Sequence, residues 1–328
     1  MTAPRKAAGR RTVPVPAPAA PSPLGSPDGT PRLLVGCDFS SSPTPRKPIV
    51  VAHGSMTHGR VVLSRLERFA TLDAWADWLA IPGPWTGGFD FPFGLPRELV
   101  VTLGWPTDWQ ACIAHYAGLS RAEIRATFAA FCDARPVGGK FAHRATDAYA
   151  GSSSSMKWVN PPVAYMLHAG VPRLLHAGVD LPGLHAGDAT RVALEAYPGL
   201  LAREILDGWR PEPGRPGVGR RSYKSDDLAR RTPERLIASK GIVEALETGH
   251  GRHGPLSTAL RLKLSAAQRD ALVADGTGDA LDAVLCLVQA AHAERLHLAG
   301  SPTYGKPPGA DPLEGWIIGA GTGVGTGA

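Results

Sequence analysis

Three short apolar runs, each delivering a carboxylate at or near its end, constrain this chain more than any other feature. Residues 33–38 (LLVGCD), 87–91 (GGFDF) and 190–196 (TRVALEA) carry Asp38, Asp90 and Glu195. Apolar runs of this length read as strands buried on both faces, as found where helices cover a largely parallel sheet. Pro92 and Pro198 stop the second and third runs. Parallel strands present their C-terminal ends along one edge, where ligands of open α/β sheets bind, so the three acids are expected to share that edge. Glu195, between Leu194 and Ala196 in an apolar strand, demands a partner, because burying a lone carboxylate is costly.

The remaining segments fill in an α/β pattern. Runs at 48–53 (PIVVAH) and 60–66 (RVVLSRL) flank a short link bounded by Gly54 and Gly59, so the first three strands are expected to be antiparallel neighbours. Thr71 can cap a helix with Leu72, Trp75, Trp78 and Leu79 on one face, ended by Pro82. Residues 93–188 read as a mainly helical insertion between the fourth and fifth strands, with helices near 96–103, 107–117, 120–134 and 160–169 and a Gly/Ser-rich loop at 138–158. Residues 199–276 read as helix and loop with a basic patch at 215–224 (RPGVGRRSYK). A strong helix follows at 279–297, with Leu281, Val284, Leu285, Val288 and Leu296 as an apolar stripe and Asp279 and Asp282 off it. The expected architecture is a mixed sheet flanked by helices over 31–319, between a disordered Pro/Ala-rich basic tail at 1–30 and a flexible Gly-rich tail at 320–328.

Bulk properties exclude several classes. A chain of 328 residues with 43% hydrophobic side chains can bury a core without staples. Cys37, Cys112, Cys132 and Cys286 stand far apart with no C-x-x-C pair, which argues for reduced, buried thiols over disulfides or a zinc–thiolate site. The first thirty residues lack the apolar segment of a secretory signal, and no window approaches the ~18–20 apolar residues of a membrane span, so a soluble cytoplasmic protein is expected. Of the net charge of +6, Arg5, Lys6, Arg10 and Arg11 against Asp28 place half in the tail. The rest permits phosphate binding without requiring it.

The spacing of Asp279 and Asp282 sets both on one face of a first helical turn. Each acid also has a plainer reading. Asp279 can be an N-cap and Asp282 a first-turn charge matched to the helix dipole. Asp38 and Asp90, closely followed by Ser40 and Pro92, can initiate turns. Gathered together, Asp38, Asp90, Glu195, Asp279 and Asp282 repel one another until they take up protons or bind a cation. Oxygen ligands without Cys or His favour Mg²⁺ or Mn²⁺. Two such ions about 3.5–4 Å apart hydrolyse phosphodiesters in known enzymes.

Several of these segments are long and unusual: GCDFS at 36–40, GFDFPFGLP at 88–96, MKWVNPPVAYM at 156–166, RVALEAYPG at 191–199, SYK at 222–224, GDALDAVLC at 278–286 and EGWI at 314–317. Through them the chain, over about 33 to 319, resembles the bacterial proteins grouped as domain of unknown function 429, predicted nucleases of ribonuclease-H-like fold. The resemblance implies a ribonuclease-H-like core with Asp38 on the first strand, Asp90 at the fourth, Glu195 at the fifth, and Asp279 and Asp282 on the last helix. The closing D-x-x-D is similar to that of junction resolvases. Metal would be held by Asp38, Asp90, Glu195 and Asp282, with Asp279 assisting, and the implied activity is a Mg²⁺- or Mn²⁺-dependent nuclease acting on DNA or RNA.

Arg144, Lys157 and Lys224, in or near these motifs, are the chosen phosphate contacts. Lys140, His143, Arg220 and Arg221 read more plainly as solvated charges. His250 and His253 in GHGRHG fit a flexible loop, and Trp85, Trp105 and Trp158 fit packing better than base stacking. Two other functions compete. CDFSSS at 37–42 can pass for the first phosphate loop of a sugar kinase or actin-like ATPase, which share the ribonuclease-H-like core, although no second Gly-rich loop of that class follows. The same scaffold can also serve as a non-catalytic nucleic-acid-binding module.

Overall fold

The computed structural model describes residues 33–207, 221–250 and 260–321. The expected tail at 1–30, most of the Gly-rich tail at 320–328, Arg220 and His253 lie outside them. The protein is α/β, with a seven-stranded mixed sheet flanked by helices. Its strands are β1 (Leu33–Asp38), β2 (Ile49–Thr57), β3 (Arg60–Phe69), β4 (Trp85–Phe89), β5 (Val179–Asp180), β6 (Asp188–Glu195) and β7 (Arg261–Lys263), arranged β5-β6-β4-β1-β2-β3-β7. The strands β1, β2 and β3 are antiparallel neighbours, while β4 and β6 continue the sheet parallel to β1.

Alternation along β1 sends Leu34 to the core on one face and Val35 and Cys37 to the other. The second face is covered by α1 (Leu72–Leu79), α2 (Arg97–Thr102), α3 (Trp109–Ala117), α4 (Arg121–Asp133) and α6 (Val163–His176), which deliver Trp75, Leu99, Ile113, Phe128 and Leu167 to its core. The first face is covered by α7 (Pro198–Asp207), α8 (Pro233–Thr248), α9 (Ala266–Ala274) and α10 (Asp279–Leu298), joined by Ala150 of the short α5 (Ala145–Ala150). Thr71 caps α1 as its sequence foretells, its hydroxyl accepting from the Ala74 N–H.

Four details depart from the sequence reading. The hairpin turn is two residues, His58 and Gly59, both at positive φ, because Gly54 continues β2 through a bulge where a turn was expected. The Gly/Ser-rich loop at 138–158 contains α5, a helix too short to leave a periodic apolar signature. The insertion carries a two-residue strand, β5, and the chain after 199 returns one more, β7, at the far edge. Finally, α10 has no polar face in its first four turns, since every residue from Asp279 to Glu294 is buried. It is enclosed between the sheet and its neighbours, so the apolar stripe was only part of its buried surface.

Two glycines bring α10 down onto the sheet. A Cβ on Gly36 of β1 would lie 2.1 Å from the Ala283 carbonyl oxygen, and one on Gly88 of β4 would lie 2.6 Å from that of Cys286. No other side chain leaves room for this approach. It carries the first turn of α10 to the C-terminal ends of β1 and β4. Among the described residues no helix is long and apolar enough to cross a membrane. The four cysteines are free and buried, as expected.

Candidate metal centre

β1 ends at Asp38, Asp90 immediately follows β4, and Asp282 lies one turn into α10. One carboxylate oxygen from each lies within 4.8 Å of those from the other two. The register explains the meeting: Cys37 pairs with Phe89 across the parallel strands, and the Asp90 N–H donates to the Cys37 carbonyl at 2.9 Å. No hydrogen bond from the described residues reaches the Asp38 or Asp90 carboxylate, so neither is a turn-forming aspartate. Asp279 is not the helix cap. Gly278 holds that position, and the Asp275 carboxylate accepts the Ala280 N–H at 2.9 Å. Asp279 stands at the rim of the cluster, outside the group of three.

Among the described residues, Lys224 is the cation in contact with this group of three. The Lys224 ammonium and the Tyr223 hydroxyl both donate to Asp282, which has no exposed surface. Burial, the Asp282 charge and then Asp90 and Asp279 push the Asp38 carboxyl well above its usual range, against the opposing pull of Lys224. Burial and Asp282 raise Asp90 to about 7. Burial draws the Lys224 ammonium down, but Asp282, Tyr223, Asp38 and Asp90 more than offset it, so it stays firmly charged. Three carboxyl groups beside one ammonium leave a site that holds on to protons when no cation is bound and that offers only oxygen ligands. That donor set fits a hard divalent cation.

Glu195 goes elsewhere. Its two oxygens accept from the Arg144 guanidinium at 2.7 and 2.9 Å, and one also accepts the Phe93 N–H at 3.0 Å. Arg144 also binds Asp147 at 2.8 Å and donates to the Glu314 carbonyl at 2.9 Å. This removes Glu195 from the expected set of metal ligands, because its oxygens are committed to a guanidinium. It equally corrects the choice of Arg144 as a phosphate contact, since only 2% of its surface is exposed and its donors are taken by carboxylates. Asp147, Tyr223 and Glu314 were missed. Each carried a faint signal: Asp147 stands three residues after Arg144, and Tyr223 and Glu314 sit inside SYK and EGWI.

The other chosen residues fall out variously. Lys224, chosen as a phosphate contact, lies among the acids and pairs with Asp282. Lys157 is half-buried and is not among the residues lining the cavity that holds the acids. That cavity, of about 820 Å³, is lined by Asp38, Asp90, Asp279 and Lys224, by the paired Glu195 and Arg144, and by residues of the loop after β1 and of α4 and α6. Arg221 pairs with Asp207 at 3.2 Å on the surface, and Trp85 stacks on Trp78, a packing role as expected. Comparison with known protein families, with curated proteins and with solved structures finds no match to this chain.

Proposed function

We propose that this protein is a metal-dependent nuclease with a ribonuclease-H-like core, related to the domain of unknown function 429 proteins. The observation that carries the reading is the convergence of Asp38, Asp90 and Asp282 from two parallel strands and the last long helix, with one ammonium among them. The sheet supports it: three antiparallel strands, then β4 and β6 parallel to the first, with acids at the ends of β1 and β4. Asp38, Asp90 and Asp282 stand on the first strand, after the fourth and on the last long helix, where the resemblance expects them, whereas Glu195, expected on the fifth strand, ends β6 and is paired internally.

Asp38, Asp90 and Asp282 would hold Mg²⁺ or Mn²⁺. Such ions, bound by carboxylates, activate a water and stabilise the leaving oxygen of a phosphodiester. The chain's own residues have separable tasks. Lys224 neutralises part of the cluster and lies where its ammonium can meet a phosphate oxygen. Tyr223 orients the Asp282 carboxylate. Glu195, clamped by Arg144 and accepting the Phe93 N–H, anchors the chain three residues beyond Asp90 and so fixes where that acid points.

The test is cleavage of single-stranded, duplex and branched DNA and RNA by the purified protein in Mg²⁺ or Mn²⁺. Activity in the wild type and its loss in Asp38→Ala, at unchanged thermal stability, is the expected pattern. Equal cleavage by both proteins removes this site from consideration.

A further inference from the structure

Asp38 and Asp90 do not lie on an open face. They line a cavity of about 820 Å³, within the roughly 300–1,000 Å³ typical of pockets that enclose a small ligand. Part of its wall is a built shelf. Arg121, the first residue of α4, lies 5.0 Å over the ring of Tyr165, near the start of α6. Its guanidinium also donates to the Ser42 hydroxyl at 2.9 Å and the Ser41 carbonyl at 2.6 Å. The Tyr165 hydroxyl donates back to the Arg121 carbonyl at 3.3 Å. An aromatic ring, a guanidinium plane and a run of hydroxyls are thus held together, with Pro161, Pro162 and Met166 adding apolar surface. Lys47 and Lys224 line the same cavity.

A duplex is stiff over this length, with a persistence length of about 150 bp, and cannot fold its backbone into such a space. An unpaired strand can bend, and its bases offer faces that stack on tyrosine and arginine regardless of sequence. Resting on the nuclease reading, we infer that this cavity takes one flexible single strand. An unpaired base sits on the Tyr165–Arg121 shelf while the adjoining phosphodiester lies beside the divalent cation that Asp38 and Asp90 would hold.

The full-length protein decides this by fluorescence anisotropy in Ca²⁺, a hard cation that carboxylates also hold. The probes are labelled (dT)₄, labelled (rU)₄ and a labelled blunt 12-base-pair DNA hairpin duplex closed at one end. Both tetranucleotides, or the one of the preferred sugar, should bind at least tenfold tighter than the blunt hairpin. Arg121→Gln and Tyr165→Leu, which alter exposed or half-buried side chains, should each weaken that binding by about fivefold or more, the equivalent of one base stack. Both variants should melt with the wild type. Tighter or equal binding of the blunt hairpin overturns the inference, as does tetranucleotide binding indifferent to both substitutions. Tetranucleotide binding as described without cleavage in Mn²⁺ supports the strand site and leaves the nuclease reading alone to fail. Equal cleavage of duplex and single strand fails the strand site and leaves the nuclease reading standing.

Discussion

Two groups of buried acids sit close together in this protein, and they are neutralised in opposite ways. Around Arg144, the carboxylates of Glu195 and Asp147 receive the guanidinium in several hydrogen bonds, and Asp147 also accepts from the Ser152 hydroxyl at 2.9 Å and the Arg144 N–H at 3.0 Å. Around Asp282, three carboxylates share the Lys224 ammonium, whose side chain remains 41% exposed, and Asp38 and Asp90 receive no hydrogen bond from the described residues. The first group is complete within the protein. The second keeps protons on Asp38 and Asp90 that the proposed cation would displace. Carboxylates alone therefore do not mark a metal site; what surrounds them has to be read as well.

The comparison breaks most visibly at Arg144. Arg144→Met leaves two buried carboxylates without their cation, and the expected loss is ~3–5 kcal/mol, read as a lower denaturation midpoint. Added Mn²⁺ should not restore it, because Glu195 and Asp147 still accept from the Phe93 N–H, the Ser152 hydroxyl and the residue 144 N–H and so stay turned toward those donors. Lys224→Met should cost less, ~1–2 kcal/mol, since the lost partner is partly solvated. Here Mn²⁺ should restore the loss. Rescue of Arg144→Met and not of Lys224→Met would invert the account.

The pH dependence sharpens the contrast. The folded value for Asp90, about 7, lies above the ~3.9 of an unfolded aspartate. Between those values the folded chain keeps a proton that the unfolded chain has released. Metal-free stability is therefore fullest below about pH 4 and falls as pH rises toward 7, by no more than ~1.4 kcal/mol per pH unit, less because the cavity admits water. Asp38 acts in the same direction. His292, which burial and then Arg295 lower to about 4, acts oppositely, removing stability as pH falls from ~6.5 toward 4. Because Mn²⁺ touches only the first effect, the gap in melting temperature between Mn²⁺ and chelator should widen from pH 5 to 7.5. A constant gap would show that the acids are not crowded.

The smallest effect belongs to the rim. Lys47 pairs with Asp226 at 2.6 Å, with both side chains more than half exposed, so Lys47→Ala should move stability by less than ~1 kcal/mol.

Much of this was legible in the chain itself. Apolar runs ended by Asp38 and Asp90 foretold buried strands with acids at one edge, and Gly36 and Gly88 within those runs are what let α10 approach. Periodicity found α10 but understated its burial, because a helix enclosed on all sides has no polar stripe to count. Glu195 was read as a metal ligand because a buried carboxylate needs a partner, and its actual partner was beyond reach: Arg144 lies 51 positions away in a loop whose short helix leaves no periodic trace. Tyr223 and the Arg121–Tyr165 shelf were invisible for the same reason, since contacts between distant segments follow from the fold and leave no local spacing to read.

The most direct test is a calorimetric titration of Mn²⁺ into the metal-free wild type and into Asp38→Asn, Asp90→Asn, Asp282→Asn and Glu195→Gln. Binding should be present in the wild type, weakened at least tenfold by each aspartate change, and retained in Glu195→Gln provided that variant is shown to be folded. No binding to the wild type at millimolar Mn²⁺, or binding lost with Glu195 and kept without Asp38 and Asp282, would contradict the assignment of the centre.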